Sequence, residues 1–225
     1  MRRTNAVDRR PIAARGWPAA RWVSSRLNGH GVLPNTISIA GMVCGIGAGV
    51  ALAATGPAPR GNQLAWLIAG ALILLRAAAN MLDGMVAVEF DRASPLGDLY
   101  NELPDRISDM AMLIGLGYAA GGNVTLGYAA AGAALLVAYI RTLGKAAGAR
   151  HEFGGPMAKQ RRMFTVVGLS AYMGLSPHAW QPLWGSPPRI GLAAACLGVV
   201  IVGCVWTGIL RLRRIAASLR AAAGG

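Results

Sequence analysis

Apolar residues fall into six long runs along the chain, separated by short polar connections. A helix needs about 20 mostly apolar residues to cross a bilayer, so these runs predict membrane-spanning helices. Polar residues interrupt the second run, and the fifth run is short for a span. The predicted spans are about residues 37–54, 63–88, 95–120, 124–141, 162–175 and 189–211.

The segment before the first run has a different pattern. Residues 1–35 are basic and broken by prolines, but Ala19, Trp22, Val23 and Leu27 recur at helical spacing. This spacing predicts a short amphipathic helix that lies in the membrane interface, and a disordered basic tail is the alternative.

The first apolar run begins too far from Met1 to belong to a signal peptide, so we expect it to be retained as a membrane helix. The pattern therefore predicts a basic N-terminal segment over residues 1–35. A membrane domain follows it over residues 36–225.

Composition supports the membrane interpretation. Of the 225 residues, 54% are hydrophobic and only 14% are charged, whereas a soluble domain usually carries about 25% charged residues. The predicted fold class is an all-α membrane protein, a six-transmembrane-helix bundle with an N-terminal amphipathic interfacial helix.

The net charge of +13 indicates either nucleic acid or an anionic membrane surface as a partner. The chain has no nucleic-acid motif, and its basic residues cluster beside the apolar runs, so we expect the lipid bilayer and no nucleic acid. Eighteen of the 22 Lys and Arg residues would lie on one side of six spans. The positive-inside rule then predicts an integral protein of the bacterial inner membrane with both termini in the cytoplasm.

Gly41, Gly45 and Gly49 form a series of small residues at four-residue spacing on the first span. Such a series allows two helices to approach closely. It is compatible with packing inside one chain and with a homodimer.

Negative charge is concentrated in one stretch, because seven of the nine acidic residues lie within residues 80–109. Closely packed carboxylates in a dry environment need cations, and hard oxygen ligands select Mg²⁺, Mn²⁺ or Ca²⁺. A solvated helix end and ion pairs with Arg76, Arg92 and Arg106 are the alternatives. They explain a helical stripe poorly, because like charges one turn apart repel. That stripe consists of Asp98, Asn101, Glu102, Asp105 and Asp109, and it is predicted to face Asn80 and Asp83 on the preceding helix.

A second charged stretch, residues 154–163, reads GGPMAKQRRM. Its cations Lys159, Arg161 and Arg162 stand beside glycines, which is typical of a phosphate or anionic headgroup site. Arg141 is a further candidate for this site, and an ordinary positive-inside loop is the alternative.

The polar positions carry a resemblance to a known family. The stretch Asn80-x2-Asp83-Gly84-x2-Ala87-x9-Gly97-x3-Asn101-x3-Asp105 resembles the signature of the CDP-alcohol phosphatidyltransferases, D-x2-D-G-x2-A-R-x8-G-x3-D-x3-D. The resemblance implies a six-span enzyme in which divalent metals, Mg²⁺ or Mn²⁺, hold the pyrophosphate of a CDP-alcohol such as CDP-diacylglycerol. An acceptor alcohol then attacks and CMP leaves.

The resemblance also implies roles for individual residues. Asp105 stands at the catalytic-base position and at a metal-ligand position. The other implied metal ligands are Asn80, Asp83 and Asn101, and the positions near the nucleotide are Gly84, Ala87 and Gly97.

Three signature residues are replaced, because Asn80 and Asn101 stand for aspartates and Val88 stands for the arginine. Glu102 and Asp109 are candidates to restore the missing charge at the metal site. A catalytically impaired member that only binds lipid or nucleotide is the second interpretation, and a small cation transporter is the third. The acceptor alcohol stays open, and the basic stretch favours a phosphorylated one.

Overall fold

The computed structural model describes residues 17–56, 62–90, 96–149, 154–185 and 190–223. Within these ranges the protein is built from α-helices, with one small β-hairpin near the last helix. The helices are α1 (Pro18–Gly29), α2 (Pro34–Ala53), α3 (Gln63–Glu89), α4 (Gly97–Tyr118), α5 (Val124–Ala146), α6 (Lys159–Leu175) and α7 (Leu192–Ala223).

Each of the six predicted apolar runs coincides with a helix, so the hydrophobic pattern located these elements correctly. Helix α2 begins at Pro34, and its N-cap residue is Leu33. Proline is favoured at the first helical position because its missing N–H would be unpaired there in any case. Asparagines cap two other helices: the Asn62 side chain accepts from Leu64 N, and the Asn123 side chain accepts from Leu126 N.

Four helices in the described residues are long and apolar enough to cross a membrane. They are α2, α3, α5 and α7. Helix α4 carries charged residues through its first half, and α6 has 17 residues that include three cations. The protein is therefore an all-α integral membrane protein, while the predicted total of six spans stays a prediction.

The connection between α6 and α7 contains a short turn and a small hairpin. A 3₁₀ turn spans His178–Trp180, and strands β1 (Leu183–Trp184) and β2 (Ile190–Gly191) pair in antiparallel fashion. The amide of Gly191 donates to the carbonyl of Gly121 at 2.8 Å, which ties this hairpin to the connection between α4 and α5.

Helix α2 packs against both α3 and α4, and its glycines make this possible. A Cβ atom on Gly45 would clash with Ser108, and one on Gly49 would clash with the backbone of Ala111. Gly115 on α4 lies against Gly49 in the same way. The glycine series thus serves packing inside one chain.

Helices α3 and α4 were predicted to face each other through their polar residues. In the described residues their backbones make few close contacts, because α2 packs against both of them. Their polar side chains nevertheless meet. Helix α5 packs against both α4 and α7, and α6 packs against α3. The basic first turn of α6 therefore lies near the polar side chains of α3 and α4.

Helix α1 exists where the sequence predicts it, and it packs on α3. Its buried residues are Ala20 and Ser24, whereas Trp17 and Trp22 are exposed. The Ser24 hydroxyl donates to Glu89 at 3.3 Å. The face that contacts the protein therefore includes the polar residue Ser24, and interfacial placement stays a prediction.

Candidate functional site

Charged side chains from α3, α4 and α6 are buried together inside the bundle. Arg162 is 1% exposed and Arg76 is 3% exposed, while Asp105 and Asp109 are also buried. Lys159, the first residue of α6, is 9% exposed. Burial of so many ionisable groups in a membrane helix bundle is costly, and it makes this cluster the candidate functional site.

Asp105 on α4 lies between two cations. Its Oδ1 atom forms ion pairs with the Arg76 guanidinium and with Lys159 Nζ. Arg76 Nε also donates to Ser108 Oγ at 3.1 Å, and Ser108 Oγ donates to the Pro104 carbonyl at 2.7 Å. These contacts fix the position of Asp105 from two neighbouring helices.

Asp83 on α3 is held by contacts of its own. The Ser38 hydroxyl of α2 donates to Asp83 Oδ2 at 2.6 Å, and the amide of Gly84 donates to Oδ1 at 2.5 Å. The carboxylates of Asp83 and Asp105 are close enough to interact electrostatically. The two aspartates of the signature therefore share one site.

Asp109 lies one turn further along α4 and pairs with Arg162 of α6. Arg162 also donates through NH1 to the Met157 carbonyl at 2.8 Å. The second carboxylate oxygen of Asp109 is buried and has no hydrogen-bond partner among the described residues.

Glu102 lies nearer the surface, with its side chain 40% exposed. It forms ion pairs with Arg106 of the same helix and with Arg141 of α5. Both Glu102 and Asp109 therefore neutralise basic side chains. The expectation that they compensate for lost charge at a metal site is not supported by these contacts.

A cleft of about 50 Å³ opens beside Asp105. Basic side chains from four helices line it, and these are Arg106, Arg141, Lys159, Arg162 and Arg211.

Arg211 also fixes the polypeptide around this cleft. Its Nε donates to the Gly154 carbonyl at 3.0 Å, and its NH1 donates to the Val137 carbonyl at 2.9 Å. Nearby, the amide of Met157 donates to the Thr207 hydroxyl at 2.9 Å. Helix α7 thus holds the connection that leads into Lys159 and Arg162.

The structure brings together most of the residues that the sequence singled out, with some differences. Asn80 is half-buried on α3 and Asn101 is exposed on α4, each one turn before a signature aspartate. Arg161 is exposed and donates to the Pro156 carbonyl at 3.4 Å, so it does not line the cleft with Lys159 and Arg162. The side chain of Asp98 lies outside the described residues.

Sequence reasoning missed the main role of the basic side chains. Ion pairs with Arg76 and Arg106 were named as an alternative for the acidic stretch and judged a poor explanation of the stripe, yet both occur there. The sequence signal for these buried ion pairs was Arg76, which stands in the middle of an apolar run. Arg211 gave no such signal, because it looks like an ordinary charge at the end of a span.

The oxygen atoms of Asp83, Asp105, Asn80 and Asn101 are hard ligands of the kind that a divalent cation prefers. The charge at the site is limited, because the two amides are neutral and Asp105 already contacts Arg76 and Lys159. In the described residues no group of three or more His, Cys, Asp or Glu side chains is arranged to hold a metal ion. The donor set therefore fits a divalent ion with two carboxylates rather than four.

A model of the CDP-alcohol phosphatidyltransferase family matches residues 31–206, which is most of the chain. The chain therefore belongs to the CDP-alcohol phosphatidyltransferase family, as the signature spacing predicted. It is a membrane-embedded transferase of phospholipid synthesis, and the family is metal-dependent.

Known proteins resemble the chain over most of its length. The inner membrane protein YnbA of Escherichia coli (strain K12) is 25% identical over 188 residues, which cover 83% of this chain and 85% of that protein. Phosphatidylinositol phosphate synthase (PgsA1) of Mycobacterium tuberculosis in complex with manganese and citrate has a similar fold. The TM-score is 0.69 at 20% identity, over 88% of this chain and 90% of that chain. The same protein with CDP-DAG bound gives a TM-score of 0.67 at 21% identity, over 87% and 92% of the two chains.

Proposed function

We propose that the protein transfers a phosphatidyl or other substituted phosphate group from a CDP-alcohol, such as CDP-diacylglycerol, to an acceptor alcohol and releases CMP. The observation that carries this proposal is that Asp83 and Asp105, at the signature spacing, lie close enough to interact electrostatically, and that a cleft lined by cations opens beside Asp105. The CDP-DAG bound in a protein of similar fold supports the choice of donor.

In the proposed reaction the acceptor oxygen forms a bond to the phosphorus that carries the lipid alcohol. The bond between that phosphorus and the CMP oxygen breaks, and the acceptor hydroxyl proton moves to Asp105 as general base. Arg76 and Lys159 contact Asp105 from two sides and restrict its rotation. Such positioning places the base within reach of the proton, which accounts for a large part of catalysis in reactions of this kind.

We propose Asn80, Asp83, Asn101 and Asp105 as the residues that would hold Mg²⁺ or Mn²⁺. A bound divalent ion supplies Lewis-acid neutralisation of phosphate charge. Glu102 and Asp109 are left out of this set because their carboxylates pair with arginines. Gly84, Ala87 and Gly97 keep their proposed place near the nucleotide.

The acceptor is proposed to bind in the cleft beside Asp105. Arg141, Lys159 and Arg162 line this cleft, and Arg106 and Arg211 add two further cations. Arginine and lysine together suit a phosphorylated acceptor, because guanidinium groups bind phosphate through paired hydrogen bonds. Glycerol phosphate and inositol phosphate are therefore the first acceptors to test, followed by serine and a lipid alcohol.

The proposed membrane arrangement has six spans with α4 and α6 included, both termini in the cytoplasm, and the cleft open on that side. The distribution of Lys and Arg supports this orientation. We propose the bacterial inner membrane as the location. The glycine series does not argue for a homodimer, because it is already used inside the chain.

The test is CMP release from CDP-diacylglycerol by the purified protein in detergent, with Mg²⁺ or Mn²⁺ and each acceptor in turn. Acceptor-dependent release of CMP supports the proposal. The second candidate, a member that binds lipid or nucleotide without turnover, is favoured by the neutral Asn80 and Asn101 side chains. Binding of CDP-diacylglycerol with no CMP release for any acceptor would support that candidate instead.

A further inference from the structure

The buried cluster contains an unusual amount of fixed positive charge next to its two signature carboxylates. Asp83 and Asp105 supply two negative charges, and Asn80 and Asn101 supply none. Two divalent ions at this place would bring four positive charges against those two. Buried charge that lacks a counter-charge is strongly unfavourable, so the carboxylate count alone argues against a pair of ions.

Arg76 makes the imbalance larger. Its guanidinium lies on Asp105 Oδ1 and is 3% exposed, and arginine stays charged at all ordinary pH values. Arg76 NH1 is buried without a hydrogen-bond partner among the described residues. Because arginine does not lose its proton at ordinary pH, the positive charge of Arg76 stays in the site.

Helix α2 is shaped to accommodate this arginine. A Cβ atom on Gly41 would lie 2.9 Å from Arg76 NH1 and 2.8 Å from the Cβ atom of Ala79. Only a residue without a side chain at position 41 leaves room for the guanidinium. Arg76 Nε is also fixed by its hydrogen bond to Ser108. The fold thus holds Arg76 against Asp105 through contacts on both α2 and α4.

We infer that the site takes a single divalent ion, shared by Asp83 and Asp105, and that Arg76 supplies the positive charge that a second ion would bring beside Asp105. This inference rests on the proposed function for the role of the site. Arg76 is a positioning and charge-supplying residue, and Asn80 and Asn101 are neutral ligands that add no negative charge for a second ion.

The test counts Mn²⁺ ions bound per chain, with Mn²⁺ alone as the probe, by electron paramagnetic resonance of the free ion during titration. The wild type is expected to bind one Mn²⁺ per chain. The triple variant Asn80→Asp, Asn101→Asp, Arg76→Gln has four signature carboxylates and no arginine, and it is expected to bind two. Arg76→Lys keeps the charge and is expected to bind one, as the wild type does.

Two Mn²⁺ ions in the wild type, or none, would overturn the inference. A count of one in the triple variant, with an unchanged melting temperature, would also overturn it, because restoring carboxylates and removing Arg76 would then open no second position. If the triple variant does not fold, the wild-type and Arg76→Lys counts still decide.

The count does not depend on turnover. A protein that binds one Mn²⁺ but releases no CMP with any acceptor would refute the proposed function and leave this inference standing. A protein that releases CMP and binds two Mn²⁺ would do the reverse.

Discussion

At the residue scale, the site is a network of buried ion pairs rather than a bare group of carboxylates. Six cations, Arg76, Arg106, Arg141, Lys159, Arg162 and Arg211, lie around four carboxylates, Asp83, Glu102, Asp105 and Asp109. Such pairs contribute little to stability in themselves, because desolvation offsets their attraction. Loss of one partner is costly, however, because the other charge is then buried alone. The ion pairs therefore fix where the charged groups lie, and they add little to the free energy of unfolding.

Arg162 and Arg161 allow a matched test of this network. Arg162→Gln leaves Asp109 buried without its counter-charge, and we expect a loss of about 3–5 kcal/mol in stability. It should also raise KM for a phosphorylated acceptor, because Arg162 lines the cleft. Arg161→Gln changes an exposed neighbour and should have a much smaller effect on both quantities. Thermal unfolding in detergent and acceptor kinetics measure these effects.

The double variant Asp109→Asn, Arg162→Gln provides the control. It removes both charges and should recover part of the stability lost in Arg162→Gln, since no unpaired charge remains. Equal losses for Arg161→Gln and Arg162→Gln would mean that the pair with Asp109 is unimportant.

At the element scale, the glycine series on α2 brings three helices together at the site. Gly41 accommodates Arg76 of α3, while Gly45 and Gly49 lie against α4 at Ser108 and Ala111. The four-residue spacing indicated a close helix contact, but it did not identify which helix makes it, because an intramolecular and an intermolecular contact use the same pattern. The tertiary structure shows that the contact is between α2 and α4 of one chain.

Gly49→Ala tests the close approach of α2 and α4. A Cβ atom at this position would clash with the Ala111 backbone, and backbone can move only if the helices separate. We expect the free energy of unfolding of Gly49→Ala to be lower by about 1–3 kcal/mol, which is typical of overpacking. Gly132→Ala is the matched control in α5, because nothing lies within 4 Å of its added Cβ atom.

Replacing a helical glycine by alanine otherwise stabilises by about 0.5–1 kcal/mol, so Gly132→Ala should be neutral or stabilising. Thermal unfolding of both variants in the same detergent gives the comparison. A Gly49→Ala protein as stable as Gly132→Ala would show that the helices do not approach this closely.

At the scale of the whole molecule, the sequence predicted the positions of the helices well and the contacts of the site less well. Hydrophobic runs located α2 to α7, because burial in lipid requires long apolar segments whatever their neighbours are. The signature spacing predicted that Asp83 and Asp105 lie near each other, and the two carboxylates are close enough to interact electrostatically. The basic residues that pair with the carboxylates could not be predicted from the sequence spacing. Asp109 and Arg162 are 53 residues apart, and only the packing of α6 brings them together.

The arrangement of the bundle also explains why Arg211 was missed. Its bonds to Gly154 and Val137 join three parts of the chain that have no common pattern in the sequence. Arg161, in contrast, was predicted as a phosphate-binding residue but does not line the cleft. It is adjacent to Arg162 in sequence, but successive helical residues point in different directions, so only one of the two enters the cleft.

We propose that Asp83 and Asp105 together form the reactive centre of this CDP-alcohol phosphatidyltransferase. The most direct measurement is CMP release from CDP-diacylglycerol, with the acceptor that gives turnover, by the wild type and by Asp83→Asn and Asp105→Asn. Both substitutions keep the shape of the side chain and remove its charge. Removal of a general base typically costs 10²–10⁴-fold, and we expect kcat to fall by about this amount in Asp105→Asn. Asp83→Asn should also abolish most turnover, while Glu89→Gln, at an exposed position at the end of α3 and outside the residues that line the cleft, serves as the control. An active wild type whose rate of CMP release is unchanged by both aspartate substitutions would contradict the account.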